Sequence, residues 1–142
     1  MRKYTLVCVA FVLAIAVLLT ACKGADGISG YDPLDGTSWV LFAYRKTRPI
    51  SDSTITAIFE DGQIHGSAGC NSFGGTYSVD GDNISFENIA ITLMACLEPA
   101  GIMEQEQAIM QFIWGARTYQ LSDGQLQIFR LDGEALTFVP SE

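Results

Sequence analysis

The residues best suited to chemistry lie close together: the single histidine, His65, then Cys70 and Asn71, within the run Gly66-Ser67-Ala68-Gly69-Cys70-Asn71-Ser72-Phe73-Gly74-Gly75-Thr76-Tyr77. Cysteine, histidine and asparagine together suggest a hydrolase, in which a base within hydrogen-bond reach activates the thiol and a third group orients the base. A reactive thiol also needs partial exposure and nearby positive charge to depress its pKa. Here the chain is acidic and Cys96 is available to pair with Cys70, so the thiol is expected to be consumed rather than reactive. The crowded glycines imply positive φ or a close backbone approach. A binding loop would use that freedom, and so would a tight corner placing Cys70 opposite Cys96; the corner is the reading favoured by the role of glycine as turn punctuation.

Other chemistries lack their parts. The acids that might serve as a general acid and base pair fall mainly in turns and at a helix start, where capping and solvation account for them. Asp80 and Asp82 share a turn, but the remaining ligands of a calcium loop, including its bidentate Glu, are absent. The Gly-rich run lacks the Lys-Ser/Thr ending of a phosphate-binding loop. No catalytic residue, cofactor or metal ligand is assigned.

The elements that hold these residues begin with a leader. Arg2 and Lys3 precede an apolar run, Leu6 to Leu19, that is short for a membrane span and reads as an export signal over residues 1–21. Leu19-Thr20-Ala21-Cys22 resembles the bacterial lipobox, which makes Cys22 the lipidated N-terminus of the mature chain. The alternative is an uncleaved anchor helix with an incidental cysteine. Lipid would place the protein in the cell envelope, attached to the membrane without spanning it. Lys23, in not being Asp, matches outer-membrane lipoproteins if the host has two membranes.

The processed chain carries six basic against sixteen acidic residues, a balance that repels nucleic acid and anionic headgroups alike. Attachment then falls to the lipid. With Cys8 in the leader and Cys22 acylated, Cys70 and Cys96 remain as a lone pair in an oxidising compartment, which favours a disulfide. Two inert buried thiols or half of a metal site are the alternatives.

Residues 22–35, short of large apolar side chains, read as a tether, and 36–140 as one domain. Ser38 to Tyr44 is apolar on both faces, which suits a strand covered on both sides or a short buried segment, and is read as the strand. Arg45, Lys46 and Arg48 gather in a loop, either solvated or a small anion site. Ile55, Ala57 and Phe59 alternate with Thr54, Thr56 and Ile58, and Asp61-Gly62 marks a hairpin into a strand with His65 on its polar face. Thr76 to Val79 and Ile84 to Glu87 form another hairpin. A helix is predicted from Ile102 to about Ala116, with Glu104 and Glu106 at its positive terminus and Ile102, Ile109, Phe112, Ile113 and Ala116 on one stripe. Three short alternating runs follow, separated by Asp123-Gly124 and Asp132-Gly133. The predicted fold class is α+β: a strongly curved antiparallel β-sheet of about seven or eight strands, barrel-like, with one packed α-helix.

With these residues placed, the domain resembles the META domain (HslJ-like) family of bacterial envelope proteins. Trp39-Val40-Leu41 stands at its opening Trp-x-Leu and Gly69-Cys70-Asn71-Ser72-Phe73-Gly74 at its Gly-Cys-Asn motif; Thr92-Leu93-Met94-Ala95-Cys96 matches its Thr-x-Met-x-Cys, and Met103 to Glu106 its helix start. The resemblance implies Gly69, Cys70, Asn71, Gly74, Thr92, Met94, Cys96 and Glu106 as motif residues, an association with stress response and antibiotic resistance, and no catalytic set. Two function classes are compatible. One is a non-catalytic interaction module with an envelope protein partner; the other is a carrier whose apolar cavity would be lined by Trp39, Phe73, Tyr77 and Trp114.

Overall fold

A computed structural model describes residues 31–142. The leader, Cys22 and most of the expected tether lie outside the described residues. From Asp32 to Glu142 the chain forms one compact unit. Eight strands make a closed antiparallel barrel in sequence order: β1 Thr37–Tyr44, β2 Thr56–Glu60, β3 Gln63–Ser67, β4 Ser72–Asp80, β5 Asn83–Ile91, β6 Ala116–Ser122, β7 Gln125–Arg130 and β8 Ala135–Pro140, with β8 returning to pair with β1. A single helix, α1 (Ile102–Gly115), is spliced between β5 and β6. The curved antiparallel sheet with one packed helix is the predicted fold class, and closure completes it.

Period-two alternation is what makes the barrel. Ala57 and Phe59, Ile64, Phe73 and Tyr77, Leu126 and Ile128, and Leu136 and Phe138 all point into one buried cluster, while their polar neighbours face out. The helix stripe joins the same cluster through Ile109, Phe112 and Ile113. Type I′ chemistry operates where the sequence places it: Asp61 and Gly62 take φ of 51° and 72°, and Asp123 and Gly124 take 53° and 72°. Asp132-Gly133 behaves differently. Only Gly133 is left-handed there, the Gly133 N–H closes onto the Arg130 carbonyl, and Glu134 accepts the Arg130 N–H in a wider loop.

Three expectations change. The domain begins earlier than Gly36, because Leu34 is fully buried and the Asp32 carboxylate accepts hydrogen bonds from the Tyr77 hydroxyl (2.6 Å) and the Leu34 N–H (2.9 Å). A segment poor in apolar residues conceals one decisive leucine. Burial first, and then that bond to Asp32, pushes the Tyr77 phenol above the ordinary tyrosine range, so it stays neutral. Second, β1 is covered on one face only. Trp39 and Leu41 are inside, whereas Phe42 faces outward beneath the Arg48 guanidinium, 3.6 Å from its ring centre. Third, β4 and β5 are longer than predicted, and Gly74 and Gly75 lie inside β4 at a bulge where the register shifts. The bulge requires Gly75, where a Cβ would fall 2.5 Å from Ile89 Cδ1 and 2.7 Å from the Glu87 carbonyl oxygen; Gly74 meets only ordinary contacts.

The barrel has one thin seam. β5 and β6 share a single residue pairing, Asn83 with Thr118, supported by a 2.9 Å bond from the Tyr119 N–H to the Asp82 carbonyl. Elsewhere β2 and β3 approach so tightly that a Cβ at Gly66 would lie 2.0 Å from the Thr56 carbonyl oxygen. Gly66→Ala is therefore expected to cost about 3 kcal/mol through a forced strand shift, read as a lower urea midpoint with unchanged slope. Gly81→Ala is the contrast, since open space surrounds Gly81 and only its φ of 57° resists; its expected cost is about 1 kcal/mol.

Candidate functional site

The motif residues converge on Asn71. This side chain is 2% exposed, and every polar atom it has is used. Its Nδ2 donates to Glu106 Oε1 (2.7 Å) and to the Met94 carbonyl (3.0 Å). Its Oδ1 accepts from the Thr92 hydroxyl (2.8 Å) and the Met94 N–H (2.7 Å). The Asn71 N–H donates to Glu106 Oε2 at 2.6 Å, and the Asn71 carbonyl accepts from the Ala68 N–H at 2.7 Å. An amide offers two donors and two acceptor positions on one planar group, which is what this site consumes. Aspartate would present a second carboxylate to Glu106 and lack the donors.

Glu106 is correspondingly displaced from its expected role. It is 6% exposed and spends both oxygens on Asn71, so it is a buried clamp rather than a solvated charge at the helix start; Glu104, one residue pair earlier, is the exposed acid of the first turn. Charge-assisted bonds of this length are the strong class. The neighbouring Gln105, also buried, accepts from the Ile50 N–H (2.7 Å) and donates to the Ser53 hydroxyl (2.9 Å), tying α1 to the loop before β2. No sequence signal marked Gln105, because its partners lie more than fifty residues away.

The glycine-rich corner fits around this knot. Gly69 has φ of 118°, and a Cβ there would meet Ile102 Cδ1 at 2.9 Å. Cys70 and Cys96 form a disulfide with Cα atoms 6.0 Å apart, closing a 26-residue separation. Free thiols and a half metal site are thereby set aside. The Cys-His-Asn reading dissolves as well: Cys70 sulfur is bonded to Cys96, Asn71 is engaged with Glu106, and His65 is exposed on β3. Among the described residues no three of His, Cys, Asp and Glu gather as a metal site.

What the knot presents is an apolar surface. The segment from Thr92 to Gly101 carries Leu93, 94% exposed, and Leu97, 87% exposed, with Met94 also largely open. Its position is fixed against the helix by Met94 on Asn71 and by the Cys96 N–H on Met103 sulfur at 3.4 Å. A groove of about 340 Å³ runs along α1, walled by Ile91, Met103, Glu104, Glu106, Gln107, Met110 and Trp114. The helical spacing of Met103, Gln107, Met110 and Trp114 sets these side chains along one face. Trp114 is 53% exposed at the far end. The expected carrier cavity is not built from its four aromatics. Trp39, Phe73 and Tyr77 belong to the packed core, while Trp114 stands outside it.

The family model of the META domain matches residues 32–142. A protein from Burkholderia xenovorans solved by NMR is 28% identical, with a TM-score of 0.63 over 84% of this chain and 97% of that one. A second NMR structure is 24% identical, with a TM-score of 0.62 over 75% and 91%. The crystal structure of a DUF4847 family protein from Bacteroides vulgatus is 13% identical, with a TM-score of 0.58 over 75% and 94%. The last two likenesses concern the fold alone. No curated protein matches the sequence.

Two constraints hold the knot, one polar and one covalent. Glu106→Gln keeps the volume but turns one acceptor into a donor facing the donors of Asn71, and is expected to cost about 3 kcal/mol. Reducing Cys70–Cys96 is expected to cost about 2–4 kcal/mol. Because both restrain the same segments, the combined loss should fall short of the sum, as measured by urea unfolding of the four forms. Strict additivity would show that the two constraints act independently.

Proposed function

This chain belongs to the META domain family, and from that premise we propose that it is a non-catalytic envelope protein that presents α1 and the Thr92–Gly101 segment to a protein partner. In the proposal, acylated Cys22 holds the chain on the membrane, the outer one where the host has two, and the acidic domain stands away from anionic lipid and nucleic acid. A role under envelope stress belongs to the same reading.

The observation that carries it is the pairing of rigidity with apolar exposure. Large exposed leucines cost solubility, and a segment without a task would not need them held in place. Here Leu93, Met94 and Leu97 are exposed on a stretch fixed by Asn71, Glu106 and the disulfide. Preorganisation of this kind lowers the entropy lost on docking. A nucleophile and base, by contrast, are not brought together by the residues that sequence reasoning singled out.

The test is made in cells. Fatty-acid labelling is expected to mark the wild type and not Cys22→Ala. A photo-reactive residue at Leu97 is expected to yield a discrete adduct with a membrane or envelope protein, and the same residue at Gln120 on β6 is not. Equal adducts from both positions, or none from Leu97, would remove this face as the contact surface. Label on Cys22→Ala would remove the anchor.

A further inference from the structure

We propose that the groove along α1 takes a cationic, apolar peptide segment of the partner; this rests on the interaction reading above and names the chemistry of what binds. From Asn83 to Gly115 the chain carries Glu87, Glu98, Glu104 and Glu106 and no Lys, Arg or His. Those residues include β5, the exposed segment and the whole helix, and the charged residues on the groove wall, Glu104 and Glu106, are both acidic. Glu106 is occupied by Asn71. Glu104 remains exposed on the groove wall and forms no ion pair with a described residue. Arg130, next to Gly115 beyond Trp114, is already paired with Asp132 at 3.2 Å. A basic side chain therefore finds an unpaired carboxylate here, and an acidic one finds only repulsion.

The apolar half of the recognition comes from Ile91, Met103 and Trp114, over a floor made by the buried Met110. A volume of about 340 Å³ accepts a few side chains and not a folded surface, near the small end of binding pockets, about 300–1,000 Å³. Methionine walls adapt to differing apolar shapes, and an exposed tryptophan supplies both a stacking face and a site for cation–π contact with Lys or Arg. The occupant is thus a peptide with apolar anchors interleaved with basic residues. A lipid surface fits less well, because the same carboxylates would meet anionic headgroups.

The full chain in nanodiscs of zwitterionic lipid is titrated with three short peptides: alternating Leu and Lys, alternating Leu and Glu, and alternating Ser and Lys. Trp39 is buried with its indole N–H on Thr37, so a blue shift in emission reports Trp114. The Leu-Lys peptide is expected to bind with that shift, and the other two at least about tenfold more weakly. Glu104→Lys should remove the preference for Lys over Glu, and Trp114→Ala, followed by titration calorimetry because it removes the reporter, should weaken binding about tenfold, with thermal unfolding unchanged in both. Equal binding of Leu-Lys and Leu-Glu, or no effect of Glu104→Lys, overturns the cationic assignment while the Leu97 adduct would still stand for the interaction reading. Quenching of Trp114 by brominated lipid in the nanodisc, without peptide, overturns the proposal in favour of the bilayer.

Discussion

Asn71 and Glu106 meet across 35 residues of sequence, and the placement of the exposed segment between β5 and α1 follows from that contact. A buried carboxylate without a cation is stable only if its oxygens are fully bonded. Asn71 supplies two donors, and in doing so surrenders its own carbonyl oxygen to Thr92 and Met94. The corner after β3, the segment after β5 and the helix are thereby held by one side chain. The disulfide adds a covalent limit between the corner and the segment after β5. Neither alone explains why Leu93 and Leu97 can be held in water: the polar knot orients the segment, and the bridge limits how far it departs when the knot opens.

Much of the barrel was legible in the sequence because it is written in local periodicity. The alternation of Ile55, Ala57 and Phe59, the Asp-Gly turns at 61 and 123 and the stripe of Ile109, Phe112 and Ile113 are each set by near neighbours. The cysteine pair was legible for a different reason, since few partners remained to choose among. What escaped was long-range or sub-ångström. Glu106 at a helix start has a sufficient local explanation in the helix dipole, which hides its bond to Asn71. Gln105 has no local signature at all. The glycines of the motif share a composition but not a cause: Gly69 and Gly75 are demanded by conformation or contact, and Gly74 is not. Leu34 and Asp32, in a stretch that reads as linker, could be assigned to the domain only from the burial of Leu34 and the bond that the Tyr77 hydroxyl donates to Asp32.

The seam between β5 and β6 carries one consequence of its own. A ring of eight antiparallel strands resists opening in proportion to the ladder bonds that must break together, and this seam offers a single pairing. Local opening starts where cooperative bonds are fewest. Since α1 is the covalent link across that gap, any tension delivered through the helix falls on the weakest joint of the ring and is resisted chiefly by the helix's own packing and by the clamp on Glu106. The domain is therefore mechanically anisotropic: stiff to loads along the tightly laddered strands, and compliant to a pull on the helix that spans the seam.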